Sequence, residues 1–235
     1  MPAQPVSSFK PKDTTEKVAQ ALALAIHEHR IAPGTKLGED EIGEIYDVSR
    51  TVVRAALQSL AHIQLVEMQR NKGAFVAQPT LREAREVFEA RALLEPRTAG
   101  SAATRATPRD IEILKHHIAQ EHAAMDAGDH GRALNLSGMF HIEMARIADQ
   151  DTIRQFIETL IARSSLIIAL YWRRESALCE SHAHHALVDA IAKADAPEAE
   201  DLMRSHLVDL NSALDLRDRR SQTRSLKELL QDPKL

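Results

Sequence analysis

Val48-Ser49-Arg50-Thr51-Val52-Val53-Arg54-Ala55-Ala56-Leu57-Gln58-Ser59-Leu60 is the stretch whose reading decides the fold. Ser49 suits a helix N-cap, because its hydroxyl can accept from the free backbone N–H groups of the first turn. Behind it, Val53, Ala56, Leu57 and Leu60 recur at i, i+3, i+4 and i+7, which gives the helix one apolar face. Arg50 and Arg54 share a different face near the helix start, with Thr51 beside them. Two cations there oppose the helix dipole, and neither has an acidic residue three or four positions away on the same helix. The pattern predicts an anionic partner outside the helix.

Working outward, Glu39 to Tyr46 predicts a short helix with Ile42 and Ile45 turned inward, and Asp47-Val48 a tight turn into the next. That is helix-turn-helix spacing. Downstream, Leu65-Val66-Glu67-Met68-Gln69 and Ala74-Phe75-Val76-Ala77 are short β-like runs flanking Arg70-Asn71-Lys72-Gly73. A hairpin with Arg, Lys and Gly at its tip is a wing. Upstream, Thr14 to Glu28 reads as a helix through Val18, Leu22 and Ile26, ending before the Ala32-Pro33-Gly34 turn.

The 235 residues, 44% of them apolar, suit two compact domains. The reading is mainly α: a disordered tail over 1–12, a winged helix-turn-helix over 13–78 and an all-helical antiparallel bundle over 79–235. In the second unit Gly and Pro are sparse, and the apolar period stays near 3.6. Helices are predicted over 81–104, 108–127, 130–148, 151–172, 176–194 and 197–220, with a short one near 222–231. Thr80, Thr107-Pro108 and Asp195-Ala196-Pro197 read as capped starts, and Gly128 and Gly131 bracket a break. Aromatic residues are 3%, so Leu, Ile and Ala must fill the core.

No run approaches the roughly 18 uncharged apolar residues of a membrane span. Met1 to Lys12 has no apolar stretch of signal-peptide type, and Cys179 is the single cysteine, so a reducing cytoplasm is the expected home. The net charge of −4 argues against indiscriminate nucleic-acid binding. In the first eighty residues nine Lys and Arg meet nine Asp and Glu, so placement of the cations, not their number, must carry DNA affinity.

Histidine makes the second constellation. His184 shares a stripe with Leu187, Val188 and Ile191; His206 with Leu202, Met203 and Leu210; His141 with Met144 and Ala145. A lone histidine on an apolar face is usually a core residue with one polar partner. Three facing inward from different helices fit a metal site, for which neutral imidazole is the commonest ligand. The pair His116-His117, with Met125 and Asp126, reads as surface, and Tyr171-Trp172-Arg173-Arg174 as a helix end or a dimer contact.

Together Ile31-Ala32-Pro33-Gly34-Thr35-Lys36-Leu37, Val48-Ser49-Arg50-Thr51 with Val53-Arg54 and Ala56-Leu57, and Lys72-Gly73-Ala74-Phe75-Val76 resemble the GntR-type winged-helix regulators, in particular the FadR-like branch with an FCD effector domain. The resemblance implies that Ser49, Arg50, Thr51 and Arg54 meet the major groove of a short inverted repeat, and that Lys72 and Gly73 enter the minor groove. Val52 and Ala55 replace the proline and glutamate usual in this helix, and Asp40 stands where some of these proteins carry a third arginine. Phe140-His141, His184 to Ile191 and Met203 to Leu207 resemble the family's metal-binding segments, which implies a divalent ion, zinc or nickel-like, on His141, His184 and His206. The family's aspartate one turn before the first histidine is here Ser137, a weaker ligand without the negative charge. The segment Val87 to Glu95 resembles the first bundle helix, which implies that Arg91 meets a ligand carboxylate; an ion pair with Glu95 or Glu86 is the alternative. Asp151 stands where the family often has asparagine, and with Arg91 and Ser137 is expected at the ligand pocket.

These readings predict a ligand-responsive repressor that binds double-stranded DNA as a homodimer and senses a small carboxylate, with the signal passing through the 78–82 linker. The alternatives are a metal-dependent enzyme using the three histidines and a nucleoid-type DNA binder with a vestigial pocket.

Overall fold

The computed structural model describes residues 11–172 and 181–217. Its elements run α1 (Pro11–His27), β1 (Lys36–Leu37), α2 (Glu39–Tyr46), α3 (Arg50–His62), β2 (Val66–Gln69), β3 (Gly73–Val76), α4 (Leu81–Arg105), α5 (Pro108–Asp126), α6 (His130–Ile147), α7 (Asp151–Tyr171), α8 (Ser181–Ala192) and α9 (Ala196–Ser212). The first six build the winged helix; α4 to α9 build the bundle.

In the winged helix, Ser49 caps α3 and its Oγ accepts from the Val52 N–H at 3.4 Å. Val53, Ala56, Leu57 and Leu60 are buried as their spacing requires, packed with Val18, Leu22 and Ile26 of α1. Asp47 ends α2 in the left-handed region, and the Val48 N–H donates to the Gly43 carbonyl at 3.0 Å, closing the turn between the helices. Of the two isoleucines expected inside, Ile42 is buried but Ile45 is 67% exposed. An eight-residue helix packed mainly on α3 buries one narrow stripe, and Ile45 falls beside it. The three strands pair antiparallel in the order β1-β3-β2, Val66 opposite Val76 and Gln69 opposite Gly73, so Arg70, Asn71 and Lys72 form the tip. Strand β1 was not expected from its two residues.

The bundle helices start at their predicted caps. Thr80 and Thr107 each form a reciprocal capping box, with Glu83 and Asp110, and Asp195 accepts from the Glu198 N–H. Helix α4 runs through the middle and packs on α6, α7, α8 and α9, with Ala84, Val87, Ala99 and Ala102 against Leu114, Ile118, Phe140 and Leu187. The last helix is shorter than the expected 197–220: it stops at Ser212, and Leu214 bridges to Trp172 in β fashion. The expected tail up to residue 10, the start of the 176–194 helix, Cys179 and the 222–231 helix lie outside the described residues, whereas residues 11 and 12 belong to α1. No described helix is long and apolar enough to cross a membrane.

The two units share a packed seam. Ala162 and Leu166 of α7 enter the winged-helix core. The Ser165 hydroxyl donates to the His27 carbonyl at 3.3 Å, and His29 Nε2 lies 3.0 Å from the Ser165 carbonyl. A Cβ at Gly131, in the first turn of α6, would meet the Glu28 carbonyl oxygen at 2.1 Å, so this approach is open only to glycine. Tyr171 donates to the Pro79 carbonyl at 2.8 Å and fixes the linker.

Candidate functional site

The outer face of the winged helix presents Arg50 and Arg54 from the first turns of α3, with side chains 70% and 59% exposed. Their anionic partners within the chain come from α2: Arg50 pairs with Asp40, and Arg54 makes a two-pronged contact to Glu39, Nε–Oε1 3.1 Å and Nη2–Oε2 2.8 Å. That hydrogen-bonded guanidinium holds the Glu39 carboxyl below its ordinary range. The expected external anion therefore has internal competitors that the α3 sequence alone did not reveal. Ser49 and Thr51 are exposed beside the two arginines, and Lys72 and Gly73 are exposed at the wing tip.

In the bundle, three helices converge on one point. His141 of α6, His184 of α8 and His206 of α9 are 0–3% exposed, and each offers a ring nitrogen within 4.8 Å of the others. The inward stripes of their helices put them there, since each follows the apolar residues at helical spacing. The Nε2 atoms of His141 and His206 stand 3.3 Å apart. Two nitrogens bound tetrahedrally to one ion at about 2.0–2.1 Å would stand about 3.4 Å apart. His184 Nε2 is buried and has no hydrogen-bond partner among the described residues, while its Nδ1 lies 3.0 Å from Glu121 Oε2. His141 Nδ1 likewise lies 2.7 Å from Glu95 Oε2. Carboxylates on the far nitrogens turn both rings so that Nε2 faces the centre, the arrangement that orients metal-bound histidines. Burial pushes His141 down from its ordinary pKa, outweighing the Glu95 carboxylate. Burial together with the neighbouring histidines and Arg91 holds His206 well below its own. Neutral imidazoles are what a cation requires, so the donor set fits a divalent ion.

Arg91 realises the ion-pair alternative and still faces the pocket. Its Nε and Nη2 lie 2.5 and 3.3 Å from the two oxygens of Glu95, with both side chains buried, whereas Glu86 is taken by Arg82. Arg91, Ser137 and His141 line a cavity of about 80 Å³, room for a few waters or one small organic acid. Ser137 sits one turn before His141, at the wall of this cavity. Asp151 does not line it. Its side chain is 85% exposed at the start of α7 and lies 3.1 Å from Arg154, so the expectation of a pocket role for Asp151 is corrected. A residue in a helix's first turn on the solvent side is held by its local cation, not by the bundle interior.

Two carboxylates at the histidine centre were missed as such. The sequence offers Glu95 only as a partner of Arg91. Glu121 continues the stripe Ile111, Leu114, Ile118 and is buried, so a carboxylate at an apolar register was the available signal. Of the histidine pair expected at the surface, His116 is exposed, while His117 is half-buried and its Nδ1 has no hydrogen-bond partner among the described residues.

Comparison with known proteins agrees with this architecture. The FCD domain family model matches residues 86–209, and the model described as bacterial regulatory proteins, gntR family, matches residues 14–76. The Uxu operon regulator of Haemophilus influenzae is 28% identical over 214 residues, covering 83% of this chain and 79% of that protein. The transcriptional repressor RspR of Escherichia coli K12 is 26% identical over 216 residues, covering 91% and 90%. A GntR crystal structure from Rhodococcus sp. RHA1 superposes with a TM-score of 0.73 at 23% identity over 86% of this chain and 99% of that one, which shows the shared fold.

Proposed function

The chain belongs to the gntR family of bacterial regulatory proteins, with an FCD domain behind its winged helix, and from that premise we propose that it is a repressor that binds a short inverted-repeat operator as a homodimer and senses a small carboxylate. Both relatives carry regulator names, one of them a repressor, and nothing favours the metalloenzyme alternative. The observation that carries the reading is the pair of exposed guanidiniums at the start of α3, mounted beside a wing and joined to a bundle with a cavity walled by Arg91 and His141.

Arg50 and Arg54 reach guanine O6 and N7 in the major groove, each worth roughly 1–3 kcal/mol of discrimination. Ser49, Thr51 and the N–H groups of the first α3 turn meet phosphates, and Lys72 with Gly73 follows the minor groove. One winged helix covers one half-site, so a two-fold operator takes two chains. In the bundle, Arg91 spends two N–H groups on Glu95 and keeps others for a ligand carboxylate. His141, His184 and His206 would hold a divalent ion, zinc or nickel-like, which when bound supplies a Lewis-acidic site for a carboxylate oxygen. Glu95 and Glu121 orient the rings, and Ser137 offers its hydroxyl to the ligand. The ligand sets operator affinity by binding the DNA-competent and incompetent arrangements unequally.

The test is fluorescence anisotropy on a duplex recovered by the protein from a random pool. Arg50→Ala or Arg54→Ala should each weaken binding about 5- to 150-fold while circular dichroism stays unchanged. Unaltered affinity in both variants overturns the reading.

A further inference from the structure

The cavity beside Arg91 is not closed by the bundle alone. His27, the last residue of α1 and part of the DNA-binding domain, is one of its lining residues. From α7 comes Ser164, 2% exposed, whose hydroxyl has no hydrogen-bond partner among the described residues. From α6 come Asn135 and Ser137. A buried hydroxyl without a partner loses the hydrogen bonds it made in water, and such groups normally find one. Its place on the cavity wall leaves it open to a partner from outside the chain.

We propose that His27 and Ser164 are binding residues of this cavity for a small hydroxy-carboxylate, so that a ligand seated there touches both domains and is read directly at the end of α1. This rests on the carboxylate-sensing reading above. The division of labour follows from the lining. Arg91 is the cation and suits the carboxylate, while Glu158, which also lines the cavity, is paired with Arg154. His27 is held neutral, its pKa lowered to about 4 by burial and by the neighbouring His29. A neutral imidazole offers one donor and one acceptor, which matches a hydroxyl rather than a second carboxylate. Ser164, Asn135 and Ser137 have the same double capacity. The route to DNA is then short. The His27 carbonyl accepts from Ser165, the residue after Ser164, and α1 packs directly on α3 through Leu22 and Ile26. A ligand that pulls on His27 and Ser164 moves the support of the recognition helix, in addition to anything the linker transmits.

The full chain is titrated with glycolate and, separately, with acetate, which lacks only the hydroxyl, and the ring signals of His27 are followed by NMR. Glycolate should bind at least about tenfold more tightly than acetate, because a site built to hydrogen-bond a hydroxyl rejects the analogue without it. In His27→Ala and in Ser164→Ala the ratio should fall to about twofold or less. Equal affinity of the two acids in the wild type, failure of both to bind, or a ratio that survives in both variants overturns the proposal. The second half is read on the selected duplex: Ser164→Met, which fills the cavity, should change DNA affinity about tenfold in the wild-type background and about twofold or less beside His27→Ala. If Ser164→Met does not fold, Ser137→Met fills the same cavity from α6. An equal effect with and without His27 refutes the direct route. Failure of the wild type to select any DNA would sink the regulator reading instead, and leaves the acid titration to judge the cavity.

Discussion

Glu95 is the residue on which the buried polar network turns. It holds Arg91 at 2.5 Å and His141 at 2.7 Å, and all three side chains are 2–3% exposed. Removing it alone, as Glu95→Leu, leaves a guanidinium in the core without a counter-charge. Breaking a buried pair in this way costs about 3–5 kcal/mol. Removing both charges, as Arg91→Met with Glu95→Leu, takes away that penalty and leaves only the lost partner of His141, worth about 1 kcal/mol. The two changes should therefore be strongly non-additive, with the double variant more stable than the single Glu95 variant by about 2–4 kcal/mol. Urea denaturation of the full chain, followed by far-ultraviolet circular dichroism, measures all four corners of the cycle. Zinc affinity, measured against a chromophoric chelator, should meanwhile fall about 10- to 100-fold in both variants, because His141 loses the carboxylate that orients it. A Glu95→Leu cost below about 1 kcal/mol, or a double variant as unstable as the sum of the singles, would refute the account.

Glu121→Gln should lower zinc affinity about 10- to 100-fold through His184 while leaving affinity for the selected duplex unchanged without metal; intact zinc binding would show that this carboxylate orients nothing. Asp40→Asn and Glu39→Gln release Arg50 and Arg54 from their internal partners, so binding to random-sequence DNA should tighten and its dependence on salt steepen, as anisotropy across a potassium chloride series would reveal. Asp110 is pulled down to about 2 by the Thr107 hydroxyl and N–H and by Arg146. Its folded pKa lies below its unfolded one, so its contribution is full above about pH 4 and is lost as pH falls towards 2. Urea midpoints of Asp110→Asn and wild type should accordingly differ at pH 7 and converge near pH 2; a constant gap would contradict the assignment.

Much of this was legible in one dimension. Short-range rules carried the caps at Ser49, Thr80, Thr107 and Asp195, the turn at Asp47 and the wing tip, because each depends on residues within four positions. Helical period alone turned His141, His184 and His206 inward. What escaped depends on neighbours distant in sequence. The i, i+3 spacing of Ile42 and Ile45 says nothing about how wide a neighbour covers α2, and Ile45 stayed in solvent. The competition of Glu39 and Asp40 for the α3 arginines crosses a turn, and the rotation of α2 that permits it is a packing outcome. His27 and Ser164 share a cavity although 137 positions separate them, and no local pattern announces that meeting. Asp151 was placed by family position, which fixes the register of a helix but not which way a first-turn side chain swings.

The contact of Gly131 with the Glu28 carbonyl bears on how such proteins can be recombined. Two-part sensors invite the grafting of one reader onto another's receptor, cutting in the Gln78-Pro79-Thr80 stretch where the chain crosses between them. Here that cut would separate the end of α1 from Gly131, whose missing side chain makes room for it, and any incoming helix would still need a bare α-carbon opposite its end. A working hybrid must therefore inherit its joint from a single parent: the end of the first helix and the opening turn of the sixth are one part, delivered in two shipments along the gene.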